Sequence, residues 1–316
     1  MQPKINVVPY NPNWPSMFEQ EATLIRKALG TNCTIIHHIG STSVPGLCAK
    51  PIIDILPVVN DILEVDKATK AMQNLGYEAK GEFGMAFRRF FQKGNDVKTH
   101  NVHIYQKGDP EIDRYLKFRD WMRSHKEDSE AYANLKMDLA KKFPDDILAY
   151  CNGKDAFVAS IDTKDGFDGW RMVQALTDKE WAAVRNFRQK YFFKSITDPY
   201  TETFKHKDHI HFVFYNNADI IGYAHLHLWP KQRAGLRIIV IDENYRNQGF
   251  GTQFLNQCER WLSHQGFKAI LVQSNPEAFN FYHHLGYVKM PFNDPDGYET
   301  HPLDIEIGKM LNPNSP

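Results

Sequence analysis

The 316-residue chain has only four cysteines and does not arrange them: Cys33, Cys48, Cys151 and Cys258 stand far apart, with no CxxC pair. That spacing excludes a zinc knuckle and a disulfide framework, and it fits a reducing cytoplasm. No run of about 18 apolar residues occurs, so no membrane-spanning helix is expected. The opening stretch, MQPKINVVPYNPNWP, lacks the apolar core of a signal peptide. Net charge is absent as well: 38 basic residues balance 38 acidic ones, and nothing global draws the chain to nucleic acid or an anionic membrane. Internal repeats and low-complexity tracts are also missing. What remains, 42% hydrophobic and 24% charged, is the composition of a chain with a sizeable core, and its length suggests two domains.

In the first half, a helical pattern over 14–29 precedes two apolar strands, TIIHHIGS and KPIIDILPVV. EVDKATKAMQNLGY follows as an amphipathic helix ended by Gly76, then two further strands, FGMAFRRFFQKG and HNVHIYQKG, and a helical region from Ile112 to about Ser160. The polar, turn-rich stretch DTKDGFDG marks the expected boundary, giving domains 1–165 and 166–316. Beyond it come a strand WRMVQAL, a helix announced by the capping box Thr177 and Glu180, and two strands, HIHFVFY and IIGYAHLHLW, joined through Asn216, Asn217 and Asp219.

The most informative segment is IIVIDENYRNQGFGTQFL, Ile238 to Leu255, in which a β-branched strand runs through a glycine-rich turn into an amphipathic helix. A helix start offers unpaired N–H groups and a positive dipole end, and glycines let a phosphate approach the backbone. Arg246 adds a cation. Neither GxGxxG nor GxxxxGK[ST] is present. The spacing RxxGxG, Arg246 to Gly251, resembles the acyl-CoA loop of the GNAT superfamily of N-acetyltransferases. The later NPEAFNFYHHLGYVKM is similar to that family's second half, and the likeness runs from Gly169 to Leu311.

The resemblance implies a central mixed sheet flanked by helices, with acetyl-CoA as cosubstrate. Its pantetheine would lie along Ile239, Val240 and Ile241. The pyrophosphate would lie on Arg246, Asn247, Gln248, Gly249, Phe250, Gly251 and Thr252, with Asn275 and Tyr282 completing the site. Tyr282 is the implied general acid for the departing thiolate. The family's usual strand carboxylate is replaced here by Arg237 and Ile239. His225 and His227 alternate on the preceding strand and share a face, which makes His227 a candidate base. The acceptor implied is a small-molecule or peptide amine, and the aromatic residues Tyr200, Phe204, Phe292 and Tyr298 suit a small organic amine.

HHIGSTSVPGLCAKPIIDIL, His37 to Leu56, resembles the GrpB family, and the likeness extends over Pro9 to Ser160. It implies a nucleotidyltransferase-like mixed sheet with helices, so the whole chain is expected to be a two-domain α+β protein. Gly40, Ser41, Lys50, Asp54 and His103 are the implied phosphate-binding candidates, for a nucleotide or phosphorylated metabolite. Asp54 would be the ligand of a divalent metal. The position of such a site's second carboxylate is taken by Leu56, while His100, Asn101, Arg88 and Arg89 are nearby candidates for an anion pocket or another metal site. The leading expectation is an acetyl-CoA-dependent N-acyltransferase with a binding or regulatory first domain. The alternatives are a nucleotide-binding or nucleotidyl-transferring protein with a CoA-sensing domain, and a non-catalytic CoA-binding scaffold.

Overall fold

The computed structural model describes residues 4–95, 97–297 and 301–312, which form two compact units, Met1–Arg171 and Met172–Pro316. The first begins with α1 (Trp14–Leu29), whose Trp14, Phe18, Ile25 and Leu29 recur at helical spacing and are all buried; Gly30, at φ 58°, ends it. Strands β1 (Cys33–Ile39) and β2 (Ile53–Val59) follow. The expected single helix after β2 is two short ones, α2 (Glu64–Lys67) and α3 (Thr69–Asn74), interrupted at Ala68. Then come β3 (Tyr77–Ala79), β4 (Arg89–Lys93) and β5 (His100–Gln106), and the helices α4 (Pro110–Ser124), α5 (Lys126–Lys142), α6 (Ile147–Asn152) and α7 (Asp155–Lys164).

The sheet order is β1-β2-β5-β4-β3, with β2 and β5 parallel and the other pairs antiparallel. Alternation along β2 splits the core. Ile53 and Ile55 join the α1 side with Trp14, Phe18 and Ile25, whereas Leu56 and Val58 pack with Ile39, Tyr105 and Ile112 of α4 on the other.

The second unit is built on a sheet ordered β11-β12-β10-β9-β8-β7-β6 among the described residues. In chain order its elements are β6 (Trp170–Gln174), α8 (Asp178–Tyr191), β7 (His209–Asn216), β8 (Asp219–Trp229) and β9 (Arg233–Ile241). After these come α9 (Phe250–His264), β10 (Ala269–Ser274), α10 (Phe279–His284), β11 (Val288–Lys289) and β12 (Ile305–Met310). The Thr177 hydroxyl accepts from the Glu180 N–H and the Glu180 carboxylate from the Thr177 N–H, the capping box read from sequence. β9 and β10 are parallel neighbours. Val173, Val213, Tyr223 and Ile238 pack with Val184 and Phe187 of α8 on one face, and Phe214 stacks on Phe254 of α9 on the other. The sequence expectation of a two-domain α+β chain with mixed sheets and flanking helices therefore holds.

Candidate functional site

In the second unit the site begins with a gap in the sheet. β9 and β10 pair from Arg233 with Ala269 as far as Leu236 with Val272, and there the pairing ends. β10 continues to Ser274 against β12, and β9 continues to Ile241 against β8. The two parallel strands therefore part beside Arg237 to Ile241. The register of β8 and β9 also slips here: His225 faces Ile238 and Leu226 faces Leu236, so Arg237 is the extra residue of a bulge. A parallel strand without its neighbour on one side presents main-chain amides that a ligand's amides can meet.

Beyond the gap, Arg246 Nε donates to the Ile241 carbonyl at 3.0 Å and the guanidinium lies 5.2 Å from the Tyr191 ring centre, which fixes the cation beside the strand end. Asn247 (φ 61°) and Gly249 (φ 84°) both take left-handed backbone, and Gly249 is the N-cap of α9. Gln253 is the first amide to bond back, to the Gly249 carbonyl at 3.1 Å. The N–H groups of Phe250, Gly251 and Thr252 belong to the first turn and have no intrahelical acceptor. A Cβ on Gly249 would meet nothing within 4 Å, so its outer side is open. Gln248 is tied to the Asn244 carbonyl (3.2 Å), and Asn275 caps the turn before α10 by accepting from the Ala278 N–H at 2.7 Å.

Tyr282 is buried in α10, edge-on to Tyr287 with ring centres 5.2 Å apart, and burial pushes its phenol above the ordinary value. Its hydroxyl makes no hydrogen bond to a described residue. His227 has different surroundings. It stacks on His209 at 3.9 Å, and His209 Nδ1 is 2.8 Å from His225 Nε2, whose ring stacks on His211. Four histidines thus line one face of β7 and β8. Burial lowers them all, His209 to about 3 and His211 to about 4, so they are neutral imidazoles near pH 7.

Arg237 donates to His227 Nδ1 at 2.9 Å and to Asp294 Oδ1 at 2.7 Å. A neutral His227 accepting at Nδ1 carries its proton on Nε2, which faces Asp296 at 3.4 Å. His209, His227 and Asp296 are close enough for a cation, with ligand atoms within 4.8 Å, but this tautomer turns an N–H toward the carboxylate. Sequence reasoning named His225 and His227 but missed His209, His211 and the aspartates, which only strand pairing and a loop bring to them. Of the aromatic acceptor candidates, Phe292 packs on Trp229 and Phe204 on Trp181, Tyr200 is exposed, and Tyr298 lies outside the described residues.

In the first unit, Gly40 and Asp54 are in contact: at φ 68°, a Cβ on Gly40 would collide with the carboxylate. Asn101 donates to Asp54 at 2.9 Å and His103 stands 3.8 Å away. Burial works to raise the Asp54 carboxyl, but His103, Asn101 and Lys50 outweigh it and hold it below the usual value. The expectation of a metal on Asp54 is not supported. Leu56 is fully buried in the apolar cluster, so no second carboxylate joins the site, and among the described residues the only metal-capable cluster is the histidine trio above. Arg89 is held by Asp66 at 2.7 and 2.9 Å, and Arg88 by the Glu82 and Phe83 carbonyls, which leaves neither as a simple anion ligand.

Residues 4–164 match the GrpB protein family, and residues 175–287 match the acetyltransferase (GNAT) family. The protein YqkA of Bacillus subtilis is 43% identical over 159 residues, which cover 50% of this chain and 46% of YqkA, so the chain spans about half the length of that relative. A crystal structure of GrpB from Enterococcus faecalis is 43% identical, covers 51% of this chain and 96% of its own, and superposes with a TM-score of 0.49. An acetyltransferase of the GNAT family from Staphylococcus aureus is 18% identical, covering 46% of this chain and all of its own, with a TM-score of 0.38. The chain belongs to the GrpB family and joins to its GrpB domain, in one polypeptide, a domain of the acetyltransferase (GNAT) family.

Proposed function

We propose that residues 166–316 form an N-acyltransferase that moves an acetyl group from acetyl-CoA to an amine by direct attack on the thioester, and that residues 1–165 form a binding or regulatory module for a nucleotide or phosphorylated metabolite. The observation that carries the first part is the parting of β9 and β10 after Leu236 and Val272, directly beside a helix whose first-turn amides are unpaired. Pantetheine amides fit the open edge at Ile239, Val240 and Ile241. A pyrophosphate fits the turn Arg246 to Thr252, where Gly249 leaves room.

In this reading the amine nitrogen attacks the carbonyl carbon, the oxyanion is stabilised by a main-chain N–H near the bulge, and the C–S bond breaks with Tyr282 giving its proton to the sulfur. His227 is the candidate acceptor of the amine's proton. To act, its Nδ1 must be released by Arg237, which has Asp294 as a second partner. The four free thiols suit a reducing compartment.

The test is thiol release from acetyl-CoA against a panel of amines, in wild type and Tyr282→Phe. Because the Tyr282 hydroxyl bonds to no described residue, the substitution is expected to leave folding intact. It is expected to lower kcat by about a hundredfold, the low end for a placed acid, with the KM for acetyl-CoA little changed. Full kcat in Tyr282→Phe on a verified acceptor overturns the acid. Tight CoA binding with no turnover on any amine overturns the enzyme.

A further inference from the structure

We propose that the GrpB unit holds a phosphoryl-binding pocket formed by Ser41, Lys50, Lys136 and Lys154 and walled by Tyr132 and Tyr150. This proposal rests on reading the unit as a binding module, and it names where and what the module binds. Its centre is Lys136 of α5, which is 2% exposed. The ammonium donates to Ser41 Oγ at 2.9 Å and to the Cys48 carbonyl, and it lies 4.7 Å from the centre of the Tyr132 ring. All three are neutral, and among the described residues no carboxylate comes within ion-pair distance of it.

A buried ammonium without a counter-charge is costly, and burial pushes Lys136 down to about 8. Two further ammonium groups sit by one ring: Lys50 is 5.1 Å and Lys154 4.6 Å from the centre of Tyr150, itself 1% exposed. Neither forms a salt bridge with a described residue, and the Lys154 charge repels both Lys50 and Lys136. Asp54 tempers Lys50 but is already engaged by Asn101.

Three like charges with only the Asp54 carboxylate acting on one of them repel one another, and a bound anion would relieve that repulsion. The donors are lysine point charges and a hydroxyl, not guanidinium forks. Ser41 accepts from Lys136 and is also hydrogen-bonded to the Tyr132 hydroxyl, which holds it at the mouth of the lysine cluster. That set suits the tetrahedral oxygens of a phosphoryl or pyrophosphoryl group better than a planar carboxylate.

Calorimetric titration of the full-length protein with inorganic pyrophosphate and with ATP, in the presence of excess coenzyme A to occupy the Arg246–Thr252 turn of the second unit, tests this in wild type, Lys136→Met and Lys154→Met. Binding at least tenfold weaker in both variants supports the pocket; ATP tighter than pyrophosphate then makes the source a nucleotide, and equal affinity makes it the phosphoryl group alone. Lys136→Met removes a buried unpaired charge, so its ligand-free melting temperature is expected to hold or rise. A fall in melting temperature with pyrophosphate affinity retained makes Lys136 structural and overturns the proposal. Should Lys136→Met fail to fold, the half-buried Lys154 carries the affinity comparison. ATP bound equally by wild type and both variants overturns the pocket and leaves the module reading standing, whereas no binding of either probe overturns both.

Discussion

Single side chains explain why this protein is expected to be sensitive to mild acid. His209, His211, His225 and His227 are each held, chiefly by burial, below the value of about 6.5 that a histidine has when unfolded. The unfolded chain therefore takes up protons first as pH falls. The stability these groups contribute is present above about pH 6.5 and drains away as pH drops toward their folded values. His38 of the first unit, at about 4, acts in the same direction. The urea midpoint of the full-length protein is expected to be lower at pH 5 than at pH 7.5. A midpoint that is equal or higher at pH 5 would contradict a neutral, buried ladder. The signal for this ladder was half legible, since alternation along HLH puts His225 and His227 on one face while the partners on β7 come from antiparallel pairing.

Elements follow local rules where the chain is locally consistent. The capping box at Thr177 was readable because both of its bonds span three residues, and Thr177→Ala is expected to cost about 1 kcal/mol in chemical denaturation. The split between α2 and α3 was not readable, because the amphipathic pattern passes through Ala68 without a break. The turn into α9 separates two glycine roles. Gly249, at φ 84°, makes any Cβ strained, so Gly249→Val is expected to lose about 1–2 kcal/mol of stability as well as ligand. A Cβ at Gly251 meets Phe281 at 3.7 Å, an ordinary contact, so Gly251→Val is expected to fold nearly as well as wild type. Differential scanning fluorimetry with and without acetyl-CoA checks both. A full ligand-induced shift in Gly251→Val would remove the pyrophosphate from this turn.

At the scale of the whole molecule, each unit has its own apolar clusters around its own sheet. A ligand that binds one folded unit stabilises that unit by mass action, about 2.7 kcal/mol at a hundred times its dissociation constant. Scanning calorimetry of the full-length chain is expected to show acetyl-CoA raising the transition of residues 172–316. An acetyl-CoA response that survives Gly251→Val and Gly249→Val would locate the ligand elsewhere.

Sequence by itself determined the two-part organisation, most of the order of helices and strands, the Thr177 cap, and the turn from β9 into α9, because each is written in residues close together along the chain. The Gly40-Ser41 turn and Asp54 were legible as a motif for the same reason. Tertiary structure alone decided that Arg237 leaves the ladder and grips Asp294, that Leu56 closes the place of a second carboxylate, and that β9 and β10 part after four paired residues. Lys136 was not singled out in the sequence: its place with Tyr132 and Leu139 on the buried stripe of α5 emerged only with the fold. Its meaning required Ser41 and Cys48, 95 and 88 residues away, and two more lysines to converge on it. Convergence over such distances depends on how the sheet and helices pack, and no local pattern encodes it.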